Sequence, residues 1–183
     1  MKAFLVAAVL ATPAAAESLC GRTDTDAVLA ELAGRWSGEV RFSAVNEIFD
    51  ELRRTPADRA EPTILSADGT MLAMQDLLPE AHHAMRLAVT EPLDVDMVDD
   101  LLETADAEDF ADALSDTPCG PEALPQFAAP VSLSDPAGMT ATGRVILVPY
   151  FTDRVLRFDR VTFNDGVVVL YMTRAHLLTR LAD

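Results

Sequence analysis

The chain has 183 residues, 50% of them hydrophobic, and a formal net charge of −16 at pH 7. That length and composition suit one domain with a real core and exclude disorder throughout. The charge disfavours a nucleic-acid backbone or an anionic membrane as partner, and suits a basic protein partner, a small cationic ligand or divalent cations.

Lys2 followed by the apolar run 3–11 and by Ala14-Ala15-Ala16 has the order of a secretory signal peptide cut after Ala16. The run is about half of what a bilayer span needs, and no later stretch reaches about 18 apolar residues. The expected organisation is a signal peptide at 1–16 and a single exported domain at 17–183, periplasmic or secreted, with no transmembrane segment in the mature chain. Cys20 and Cys119 are the only cysteines. In an oxidising compartment they are expected to form one disulfide, closing a loop of about 100 residues.

Thr23-Asp24-Thr25-Asp26 offers helix N-caps, and Val28, Leu29 and Leu32 supply an apolar face, so a short helix is expected at 26–33, stopped by Gly34. Val40 and Phe42 alternate with charged residues and predict a strand at 38–43. Residues 46–54 (NEIFDELRR) read as a second short helix, with acids early and Arg53-Arg54 late. Residues 63–74 fit either a hairpin turning on Asp68-Gly69 or a helix starting near Thr70. Pro79 starts an expected helix through about Val89. Two acidic helices are expected at 93–104 and 107–114. The Pro-rich stretch 115–138 reads as an irregular connector. The chain then turns to β period: 142–150, 154–162 and 166–174 predict an antiparallel meander, with Asn164-Asp165-Gly166 as a tight-turn signal. Residues 176–181 fit a final helical turn. The fold class expected is α+β: short helices in the N-terminal two-thirds packed on a C-terminal antiparallel sheet of three or four strands. Val145–Val148 and Val167–Tyr171 are apolar on both faces, and helices are expected to cover them.

Residues 32–38 (LAGRWSG) place Gly-x-Trp at the helix–strand junction. This resembles the opening motif of lipocalins, in which the Trp closes a barrel floor and a ligand occupies the interior. The resemblance spans about seven residues, and that family needs about eight consecutive strands where this chain reads as helical. What it carries over is the structural role of Trp36 as a core anchor.

Several chemistries lack their residues. Lys2 is the only lysine, so the mature chain holds no Schiff-base or phosphate-loop lysine. There is no Gly-x-Ser-x-Gly elbow and no Cys-x-x-Cys. Glu80 and His83 form one Glu-x-x-His, where a di-iron bundle needs two copies. Asp94, Asp96, Asp99 and Asp100 lack the order of an EF-hand loop. His82, His83 and Met85, with Met71 and Met74 nearby, are the candidate ligands of a metal such as copper, against the plainer reading of core and surface residues. His176 reads as a surface or edge residue. The acids gather in one block: residues 63–120 hold fourteen Asp or Glu and one Arg. No cofactor is expected. The expected function is a non-catalytic binding or interaction module. The alternatives are a small hydrolase or isomerase using Asp/Glu or His between sheet and helices, and a metal-handling protein.

Overall fold

The computed structural model describes residues 16–45, 48–49, 63–66, 71–74, 83–91 and 119–182. One α-helix is present among them, α1 (Thr25–Leu32). Asp24 caps it, its carboxylate accepting from the Ala27 N–H at 3.1 Å, and Val28, Leu29 and Leu32 form its buried face. The rest is antiparallel sheet. The strands are β1 (Gly34–Val45), β2 (Ile48–Phe49), β3 (Thr63–Leu65), β4 (Met71–Met74), β5 (His83–Arg86), β6 (Ala88–Val89), β7 (Phe127–Ser134), β8 (Thr140–Phe151), β9 (Arg154–Asn164) and β10 (Val169–Arg180).

Their order is β5-β4-β3-β1-β10-β9-β8-β7-β6, with β2 beside β1. The two ends of that path are consecutive pieces of chain. β5 pairs with β4, Leu87 follows, and β6 pairs with β7. A strand that changes partner at one residue joins both edges, so the sheet curls into a nearly closed barrel. Counting β5 and β6 as one, the staves among the described residues are β1, β3, β4, β5–β6, β7, β8, β9 and β10, eight in all. Closure removes the unpaired edges that an open sheet would expose.

Alternation sorts the side chains. Leu72 and Met85 from one end of the path share a buried cluster with Phe127 and Ala129 from the other, and with Val145, Leu147, Val155, Val161, Met172 and Leu178 between them. Only the concave face can bring those together. The opposite face of β8–β10 carries a second cluster, Ile146, Val148, Tyr150, Leu156, Phe158 and Ala175. Leu124 and the Cys20–Cys119 disulfide pack on it. The central strands are thus apolar on both sides because one side is barrel interior and the other lies under a stapled segment. Gly143 on β8 has φ +154°, and a Cβ there would run into the Arg160 carbonyl oxygen.

One end of the barrel is a floor. α1 lies across it, and Trp36, fully buried, donates its indole N–H to the Leu32 carbonyl at 3.0 Å. Arg180, at the end of β10, stacks over the Trp36 ring with its Cζ 4.8 Å from the centroid. Its guanidinium donates to the carbonyls of Ala33 (3.0 Å), Thr152 (3.2 Å) and Glu31. The bonds to Glu31 and Ala33 satisfy carbonyls at the end of α1 that the helix leaves open. At the far end, the β9–β10 turn exposes Val167 through Tyr171.

This architecture corrects the α+β expectation of several helices on a sheet of three or four strands. The helix at 26–33, the meander and the hairpin at 63–74 are observed, and β1 does join the C-terminal sheet, running longer than 38–43. Residues 83–89 are strand, not helix. Ile48–Phe49 is strand, paired with β1, not part of a helix. β7 takes residues 127–134 of the expected connector, and residues 176–180 continue β10 instead of turning into a helix. The acidic helices expected at 93–104 and 107–114 lie outside the described residues, as does most of the acidic block. Trp36 is fully buried, the core anchor expected of it.

Candidate functional site

Two rungs above the floor, the apolar interior is interrupted. β9 turns Arg157 and Asp159 inward, two residues apart on one face, and β10 places His176 opposite Arg157. β3 brings Thr63 to the same place. All four side chains are buried: Thr63 at 2%, Arg157 at 2%, Asp159 at 0% and His176 at 3% exposure.

Their bonding is dense. Arg157 donates Nε to Asp159 Oδ1 at 2.8 Å and Nη2 to Oδ2 at 2.7 Å, a bidentate fork. Nη1 donates to Thr63 Oγ1 at 3.2 Å. His176 Nε2 lies 3.1 Å from Asp159 Oδ2. Burial works against a charged carboxylate here. The Arg157 charge and the His176 contact nevertheless hold the Asp159 carboxyl well below the usual carboxylate range. An ionised Asp159 carries no proton, so in the His176 contact Nε2 must be the donor. That assigns the tautomer: in the neutral ring, Nδ1 carries the lone pair. Nδ1 faces β1 at Gly38, where a Cβ would stand 3.8 Å from it and 2.7 Å from Leu178 Cδ2. A Cβ there would push the Leu178 Cδ2 methyl aside while making only ordinary contact with His176. Arg174, half-buried, is opposite Asp159 in the strand register and so shares the inward face.

Towards the mouth, Val161, Met172 and the partly buried Leu133, Met139 and Phe163 line the same cluster. The barrel interior is therefore packed with apolar side chains, with one polar cluster among them. Such an arrangement can hold the polar head of an otherwise apolar molecule, with Nδ1 as acceptor. It can also move a proton, since a carboxylate-oriented histidine is a general base.

The disulfide between Cys20 and Cys119 is formed, its residues 99 apart in sequence. Of the candidate metal ligands, Met85 is buried in the barrel core opposite Leu72. His83 occupies the β5 position paired with Met74. His82 lies outside the described residues. No group of three or more His, Cys, Asp or Glu placed to hold a metal occurs among the described residues. His176, read from sequence as a surface or edge residue, is instead a member of the buried cluster. Arg157 and Asp159 were not singled out at all. Their signal is in 154–162 (RVLRFDRVT), where the alternate positions 155, 157, 159 and 161 read Val, Arg, Asp and Val, an opposite-charge pair flanked by apolar residues on one face. No family model, no curated protein and no solved structure matches this chain.

Proposed function

We propose that this chain is an exported, non-catalytic binding protein whose barrel takes a small, largely apolar ligand, with its polar head at Arg157, Asp159 and His176. The single observation that carries the reading is the buried ion cluster inside an apolar barrel. A buried ion pair is weak as a stabiliser, because desolvation offsets the attraction, so its presence points to recognition. Barrels of eight strands are wide enough either to fill with side chains or to hold one small ligand. The distribution of residues is that of a water-facing barrel: apolar inside, with Ser132, Thr142, Arg144 and Arg160 on the outer surface. Export, with the leader removed after Ala16 into the periplasm or the exterior, is supported by the leader pattern and by the disulfide. Among the described residues, no helix is long and apolar enough to cross a membrane.

The test is native mass spectrometry of the protein purified from its envelope. A bound small molecule is expected on the wild type and absent from the Arg157→Met/Asp159→Leu/His176→Phe variant. Failure of both proteins to carry any ligand, or to take up an apolar fluorophore, would exclude the reading. A second reading, a small isomerase or hydrolase, is favoured by one observation, the Asp159-oriented His176. Turnover of the recovered ligand that disappears in His176→Gln while binding persists would favour it.

A further inference from the structure

The first residues after the expected cleavage point have a seat in the fold. The Thr152 N–H donates to the Glu17 carbonyl at 3.0 Å, and Glu17 N donates to Thr152 Oγ1 at 3.2 Å. Ser18 bridges to Phe151, and Leu19 N donates to the Tyr150 carbonyl at 3.0 Å. Leu19 is fully buried, and Cys20 is held by its disulfide. From Glu17 onward the chain is therefore tied to the end of β8 and the turn into β9.

The next residue of that turn is Asp153. Its side chain is 44% exposed, but the Oδ1 atom itself is covered and has no hydrogen-bond partner, with Arg154 Nε 4.0 Å away. A buried acceptor left without a donor is costly and calls for a partner. While Ala16 is attached, Glu17 contributes one N–H, which Thr152 already uses.

We propose that cleavage of the Ala16–Glu17 bond creates an α-ammonium at Glu17 that completes this turn, keeping Thr152 Oγ1 and adding the Asp153 carboxylate. The step is hydrolysis by a leader peptidase. One water is consumed, its oxygen goes to the new Ala16 carboxylate, and its protons leave Glu17 as an ammonium with three donors. The inference rests on removal of the leader after Ala16 and goes beyond it: the barrel floor is finished by the processing event. Other charged groups face the same spot. The Glu17 carboxylate lies 3.8 Å from Arg22, which also binds Glu31. Arg180 donates its backbone N–H to the Asp153 carbonyl and its Nε to that of Thr152. Asp153 follows Thr152 directly, and its Oδ1 is the buried oxygen here that lacks a donor.

The sequence makes the test clean. Lys2 is the only lysine, so the mature chain has a single amine, its own terminus. The exported protein is purified with its disulfide intact, its mass fixes the first residue, and acetylation by an N-hydroxysuccinimide ester is followed against pH, native and in urea. The expected first residue is Glu17. The labelling midpoint is expected to lie higher in the native protein than in urea, and about tenfold slower labelling follows at a pH one unit below that midpoint. Asp153→Asn should return the native midpoint towards the urea value. Thr152→Val, which leaves the carboxylate in place, should shift it less, and serves if Asp153→Asn fails to fold. A first residue other than Glu17 would overturn the cleavage reading. Glu17 first, with equal midpoints native and in urea, would overturn the seat alone. Slow native labelling with no midpoint shift would mean plain burial and would also overturn it.

Discussion

Asp159→Ala tests the energetics of the barrel interior. In the wild type its two oxygens receive three contacts, two from Arg157 and one from His176. Truncation leaves Arg157, 2% exposed, without its bidentate partner. Breaking a buried pair by removing one member costs about 3–5 kcal/mol, a large share of a total stability of about 5–15 kcal/mol. At about 2–4 °C per kcal/mol for a domain of this size, the melting temperature should fall by roughly 6–20 °C. The same group sets an acid limb. Its carboxyl is lowered in the folded state, so on acidification the unfolded chain takes up the proton first. The stability it contributes is whole well above the unfolded value of about 3.9 and is lost as pH falls through and below it. Thermal melts of wild type and Asp159→Asn between pH 7 and pH 3 should therefore converge as the solution becomes acid. An Asp159→Ala protein melting within about 2 °C of wild type, or parallel pH curves for Asp159→Asn, would refute the placement of a working ion pair in the interior.

Reduction of the disulfide, or Cys20→Ser with Cys119→Ser, should cost up to about 4.7 kcal/mol on the chain-entropy scale for a loop of this length, read as a lower midpoint in urea. Gly143→Ala should destabilise by more than about 1 kcal/mol, because the backbone conformation is strained for other residues and the Arg160 carbonyl cannot move aside; a denaturant melt checks it. Trp36→Ala should cost about 3–5 kcal/mol by calorimetry, since it empties the floor and orphans the Leu32 carbonyl. Val167→Ser, at the 91% exposed tip of the β9–β10 turn, should change the melt by no more than about 0.5 kcal/mol.

The parts of the fold that were legible in the sequence are those whose local and tertiary preferences agree. Asp24, Val28, Leu29 and Leu32 specify α1 by capping and spacing alone, and Asn164-Asp165-Gly166 marks a turn that Asp165 then closes, accepting from Val167 and Val168 at 2.8 and 2.7 Å. The missed strands are those whose partners are distant. β5 is only four residues long, HAMR, and its composition favours neither state; register with β4 and proximity to β7 decide it. β7 was hidden by its proline. Pro130 is exposed and pairs with Arg144 on β8, while β6 on the other side reaches only Ala128 and Phe127, so the missing N–H breaks no bond to β6. His176 followed the same logic. In AHLLTR its alternation with Leu177 and Leu178 is lost, because both faces of β10 are covered at that height. Periodicity cannot assign a face when both faces are buried.

Floor and cluster differ in what each interaction achieves. At the floor, Arg180 is half-buried, stacks on Trp36 and meets carbonyls that the end of α1 would otherwise leave open, so its loss would remove contacts with no apolar substitute. In the cluster, the bonds among Thr63, Arg157, Asp159 and His176 join side chains to one another. An apolar set of similar volume would fill the same space at little or no cost in stability. Arg157→Met with Asp159→Leu should accordingly melt at or above the wild-type temperature, whereas Asp159→Ala alone should not. If the double variant is stable yet no longer carries the ligand of the wild type, the cluster is there to recognise something. If the double variant is as destabilised as the single one, the cluster holds the barrel together, and recognition must be sought elsewhere on the molecule.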